Sequence, residues 1–200
     1  MRRPALTLLL ALAALPTAAF ADEITDQLDQ AKQYYQQGDI PGAISELDFV
    51  MQAMKGKIGQ VLLETFPEPP AGWTAAPVTP GDESSIPIVG GSVLTRTYSG
   101  PDNATIKATL MSGGGFLQGL AGMFMNPTVM AAQPGAKRVR LGRETATATY
   151  DPTDKSSRLL ADIGGKATLM LEGTNVPSSD SVVTLGQAWD LKRVKELVGG

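Results

Sequence analysis

Apolar positions recur every three to four residues in two successive stretches near the start of this chain. Ile24, Leu28, Ala31, Tyr34 and Tyr35 form the first set. Ala43, Ile44, Leu47, Val50, Met51, Met54, Ile58, Val61 and Leu62 form the second. That period predicts two amphipathic helices. Gly38-Asp39 separates them, with Asp39 placed to cap the second helix and Pro41 tolerated in its first turn. Gly56 and Gly59 weaken the second helix and predict fraying or a kink there. Ile44, Leu47, Val50, Met51, Met54 and Ile58 supply more apolar stripe than the first helix can cover. The sheet domain nearer the C-terminus, a second copy or another protein must cover the rest. Tyr34, Tyr35 and Leu47 are therefore candidate partner-binding residues.

Regular structure does not persist through the next stretch, where Pro67, Pro69, Pro70, Pro77, Pro80 and Pro87 fall within about twenty residues. It reads as an extended connector, with Phe66 and Trp73 as apolar anchors docked on the sheet domain. From Ser92 the period changes to two. Leu94, Arg96 and Tyr98 alternate with Val93, Thr95 and Thr97, and Ile106, Ala108 and Leu110 share a face of the next run. Ser99 to Asn103 is the turn between them. Four more strands are predicted at Lys137–Leu141, Glu144–Tyr150, Arg158–Ile163 and Ala167–Glu172, joined by short turns and therefore antiparallel. A helix through Val182, Leu185 and Trp189 comes next, capped by Ser178, Ser179 or Asp180. A last short helix starts after Asp190. The fold class is α+β: an N-terminal helical hairpin (22–65), a Pro-rich linker (66–89) and an antiparallel sheet domain covered by helices (90–200).

The residues before the hairpin carry an address. Arg2-Arg3, an apolar run from Ala5 to Leu15, and Ala19-Phe20-Ala21 before Asp22 make the three parts of a secretory signal peptide over 1–21, cleaved between Ala21 and Asp22. The run is shorter than the roughly 20 apolar residues that span a bilayer. Export to a bacterial periplasm is expected.

Composition narrows the chemistry. The chain has no His and no Cys. That removes Ser-His-Asp and Cys-His catalysis and His-ligated zinc. Cleavage takes two of the 17 basic residues and none of the 20 acidic ones, leaving a mature charge of −5. An acidic protein lacks the footprint of a nucleic-acid binder and the polybasic patch that holds proteins on anionic lipid, so neither nucleic acid nor membrane contact is expected.

Other features carry weaker signals. Gly113-Gly114-Gly115 lacks the Gly-Lys-Ser/Thr end of a phosphate loop and reads as a flexible joint. Phe116 to Ala132 is apolar, uncharged and interrupted by Asn126-Pro127. It reads as a buried helix, with Phe116 and Phe124 as candidates for partner contact. Lys137, Arg138, Arg140 and Arg143 read as a solvated strand face. Asp151 and Asp154 lack calcium-loop spacing and read as a capped turn. No catalytic, cofactor-binding or metal-ligating residue is assigned.

Ala31, Tyr34, Gly38, Ala43 and Leu47 fall where a tetratricopeptide repeat places its small, aromatic, turn, small and large residues, so the hairpin resembles one such repeat. The order strand-strand-helix, four strands, helix is similar to the Mog1/PsbP-type sandwich. The whole arrangement, with Phe66-Pro67-Glu68-Pro69-Pro70-Ala71-Gly72-Trp73 at the join, resembles a group of exported bacterial proteins. That resemblance implies location and architecture, not activity. The expectation is a non-enzymatic envelope protein without cofactor, acting through protein or small-ligand contacts with a protein partner or a second copy. The alternatives are a carboxylate-based or metal-dependent hydrolase and a membrane-surface factor.

Overall fold

The computed structural model describes residues 23–80, 92–113 and 135–199. The signal cleavage site at Ala21 and Asp22, and the apolar segment with Phe116 and Phe124, lie outside the described residues. The chain divides into two compact units, residues 1–52 and 53–200.

The first unit holds helix α1 (Glu23–Gln36) and the first part of helix α2 (Ile40–Leu63). Gly38 turns the chain between them at φ +81°, a conformation that disfavours a side chain. Asp39 Oδ1 accepts the Gly42 N–H at 3.0 Å, which makes it the cap expected from the sequence. Among the described residues of this unit, Ile24, Ala31, Ala43 and Val50 are the buried apolar ones.

The second unit is built on an antiparallel sheet. Its strands are β1 (Thr74–Ala75), β2 (Thr79–Pro80), β3 (Ser92–Ser99), β4 (Thr105–Ser112), β5 (Lys137–Leu141), β6 (Glu144–Asp151), β7 (Ser156–Ile163) and β8 (Ala167–Thr174). The spatial order is β1-β3-β4-β8-β7-β6-β5, with β2 also on β3. The pleat puts Leu94, Leu110, Leu169 and Ala161 in one row across four strands, and Ala108, Leu171, Leu159 and Ala148 in the next. All eight are buried and belong to one cluster. The other face carries Val93, Met111 and Met170 together with buried Thr109, Thr147 and Thr168.

Helices α3 (Asp180–Gln187) and α4 (Leu191–Leu197) cover the leucine face through Val182, Leu185, Leu191 and Val194. Asp190 Oδ1 caps α4 by accepting the Arg193 N–H at 3.0 Å, and Ser178 Oγ accepts the Asp180 N–H at 3.1 Å. Glycine allows the close approach. A Cβ on Gly173 would stand 2.8 Å from Val182 Cγ2.

Helix α2 continues through Gly56 and Gly59 to Leu63. Burial downstream overrides the weak propensity there, since Leu62 is fully buried and Phe66 nearly so, both in the sheet unit's core. The Pro-rich stretch is fixed from β3. Prolines donate no N–H, so their carbonyls are the available groups. Arg96 donates to the Pro67 carbonyl at 3.2 Å and to the Ala76 carbonyl at 2.9 Å, and Tyr98 Oη donates to the Pro67 carbonyl at 2.8 Å. Trp73 lies over Gly100, where a Cβ would come within 2.6 Å of the indole.

Candidate interaction surface

Burial distinguishes apolar residues of α2 that share neighbouring faces, while Phe49, 54% exposed, stands on the opposite side of the helix from the stripe. Ala43 and Val50 are buried. Ile40, Ile44, Leu47 and Met51 are exposed by 46%, 55%, 45% and 51%. At 100° per residue, the exposed set lies roughly 80° round the helix from the buried one. Its spacing is regular, with steps of four, three and four residues. Met54 and Ile58, which belong to the second unit, are also exposed. Leu28 and Tyr35 leave further apolar surface on α1, Tyr35 at 68% exposure.

The candidate residues separate accordingly. Leu47 is central to the exposed set and Tyr35 is open to solvent. Tyr34 is half-buried, with its hydroxyl accepting weakly from Gln30 Nε2 at 3.5 Å. Ile40 stands outside the stripe expected from the sequence, yet its spacing from Ile44 places it there.

The described residues of the first unit carry an acidic surplus, and Lys55 and Lys57 follow it on α2. Residues 23–52 contain Glu23, Asp26, Asp29, Asp39, Glu46 and Asp48 against Lys32 alone, a net charge of −5. The whole chain carries −3 and residues 1–22 carry +1, so residues 53–200 sum to +1.

The sheet unit has grooves of a different kind. One, of about 530 Å³, runs over Thr147, Thr149, Leu160 and Thr174, beside Arg158 and Glu172. Those two close an ion pair at 3.0 Å. Another, of about 560 Å³, lies where α4 meets the β5–β6 turn, at Trp189, Arg143 and Lys192. There Lys195 pairs with Glu144 at 3.1 Å. In both grooves a cation and a carboxylate already satisfy each other. Lys137, Arg138, Arg140 and Arg143 are exposed on and beside the edge strand β5, with Arg138 and Arg140 on one face. Such charges keep an edge from pairing with another chain. Asp151 Oδ1 accepts the Thr153 N–H at 2.8 Å, which accounts for it as a turn residue. Among the described residues there is no group of three acidic side chains placed to hold a metal. No described helix is long and apolar enough to cross a membrane.

Among the described residues, one ionisable group is clearly perturbed. Burial pushes the Tyr98 phenol above its usual value, against the opposing pull of Arg96. Its hydroxyl is engaged by Pro67, so the shift reports packing.

No family model, no curated protein and no solved structure matches this chain.

Proposed function

We propose that this is an exported bacterial envelope protein whose helical hairpin holds a protein partner, with the sheet unit as its stable carrier. The observation that carries this reading is the continuous exposed stripe of Ile40, Ile44, Leu47 and Met51. A chain with 18% charged residues has polar side chains to place on a solvated helix face, and this face has none of them. Contiguous exposed apolar surface is a mark of interaction sites. The signal-like residues 1–21 support an encounter in the periplasm, and the absence of Cys is compatible with that compartment's oxidising chemistry.

Capture from the envelope tests the reading. Tagged wild-type protein, Leu47→Asp and Gln52→Asp are each purified from envelope extracts. The two variants change charge equally, but only the first touches the stripe. A protein retained by wild type and by Gln52→Asp, and lost by Leu47→Asp, is expected. A set of co-purifying proteins that ignores the Leu47 change contradicts the reading.

A further inference from the structure

We infer that the face of the sheet turned away from α3 and α4 is the docking surface for the chain's own residues 114–134, sent to that side by the handedness of the connection between β4 and β5.

Topology fixes where this connection starts and ends. Strands β4, β8, β7, β6 and β5 stand in that order, and each neighbouring pair is antiparallel. Four reversals leave β4 and β5 parallel. The chain therefore leaves β4 at one end of the sheet and enters β5 from the other. Gly113 is held at the first end, where its N–H donates to the Lys166 carbonyl at 3.1 Å. Gly135 is already at the second, where a Cβ would stand 3.2 Å from the Tyr150 carbonyl oxygen. Tyr150 shares a row with Ser157, Gly173 and Ile106, and Ile106 lies six positions before Ser112 on β4. Four strand spacings across and six residues along make a diagonal of about 28 Å. Residues 114–134, 21 in all, are long enough to cross it over either face.

Chirality chooses the face. Seen from the leucine face with β4 running upward, an L-residue whose side chain points forward sends its N–H and C=O to the right. Gly113 bonds to β8, and Met111 and Thr109 share its side of the strand, so the forward-facing Ile106, Ala108 and Leu110 bond to β3. The bond from the Gly100 N–H to the Ala104 carbonyl at 2.8 Å has the same phase. β3 is thus on the right, and β8 through β5 lie to the left. Crossovers between parallel strands of one sheet are right-handed in about 98% of cases. A right-handed crossover that moves left passes behind the sheet, over the face of Val93, Met111 and Met170.

The chemistry of that face matches the segment. Thr95, Thr109, Met170, Leu160 and Thr147 form an uncharged row across five strands. Val93, Thr109, Met111, Thr147 and Thr168 are each at most 9% exposed. Among the described residues, Met170 is the hydrophobic side chain packed against Val93 and Met111. Residues 114–134 contain no charged side chain and include Phe116, Leu117, Leu120, Phe124 and three methionines. An apolar segment routed across an uncharged row is held there by the surface the two remove from water. Phe116 and Phe124 then serve the protein's own core, not a partner. This docking is independent of the α2 stripe.

Paramagnetic relaxation tests the inference on the mature chain, which has no Cys to compete for a label. A nitroxide is attached at Ala121→Cys, and in a second variant at Gln118→Cys. Methyl signals are compared with the nitroxide oxidised and reduced, and circular dichroism confirms that the fold is retained. Docking on the inferred face should weaken the signals of Met111, Leu160 and Met170 at least fivefold, and those of Val182 and Leu185 on the far side of the sheet less than twofold. The reverse pattern places the segment on the helix-covered face and overturns the inference. Absence of both effects also overturns it. The same weakening in a mixture of spin-labelled protein and isotope-enriched unlabelled protein assigns the cover to a second copy and likewise overturns it.

Discussion

The rings of Phe66 and Trp189 meet with their centroids 4.6 Å apart and their planes tilted by 57°. The contact ties the residue that leaves the α2 end of the chain to the segment between the last two helices. Both rings are about 5% exposed. Phe66→Ala should therefore destabilise the sheet unit by about 3–5 kcal/mol, read as a lower urea midpoint. The indole N–H of Trp189 is buried without an acceptor among the described residues. Trp189→Phe removes that unsatisfied donor while keeping an aromatic ring, so it should cost less than Phe66→Ala. Equal losses would mean that the indole makes a contact beyond ring packing.

Arg96 is the clamp on the Pro-rich stretch. It donates to the carbonyls of Pro67 and Ala76, and its guanidinium stands 5.4 Å over the Tyr98 ring. Arg96→Met keeps the aliphatic stem and removes the donors. A loss of about 1.5–3 kcal/mol is expected for hydrogen bonds from a charged group. Proteolysis between residues 66 and 80 should accelerate in parallel. Unchanged cleavage there would show that the short strands β1 and β2 hold the stretch without Arg96.

Tyr98 links stability to alkaline pH. Its phenol is held above the usual value by burial. Folding thus favours the protonated form, and this contribution is complete below the unfolded-state value near 10 and is lost as pH rises through the folded value. Urea midpoints compared at pH 9 and pH 11 should fall more for wild type than for Tyr98→Phe. Parallel falls would assign the alkaline loss to other groups.

Gly173 marks where α3 closes on the sheet. Its missing Cβ would stand 2.8 Å from Val182 and 3.1 Å from Val176. Gly173→Ala should destabilise by about 1–3 kcal/mol through overpacking. Val182→Ala introduced with it should recover part of that loss, because it removes the nearest methyl. Simple additivity of the two losses would place the strain elsewhere.

Much of this fold can be read along the chain. Ile106, Ala108 and Leu110 alternate with polar residues because one face of β4 meets the core, and local period records that directly. Gly38 and Asp39 mark the hairpin turn through backbone chemistry that acts over three residues. Arg96 is different. It sits on the core face of β3, where a charge contradicts the pattern, and its partners lie 20 to 29 residues earlier. Nothing local announces that Pro67 and Ala76 offer it carbonyls. Continuity of α2 through Gly56 and Gly59 is likewise decided at a distance, by the burial of Leu62 and Phe66. In the hairpin, the surplus of apolar residues is legible. Which of them stay exposed is not, because Val50 and Met51 are adjacent and equally apolar in sequence.

Photocrosslinking from the exposed stripe of α2 tests the central claim most directly. A photoreactive amino acid is placed at Leu47, and as a control at Gln33, an exposed residue of α1, in protein expressed and irradiated in the envelope. The account predicts a discrete adduct from position 47, with a mass set by one copy of this chain plus a different protein, and little or none from position 33. Absence of any adduct at 47 above that at 33 would contradict it.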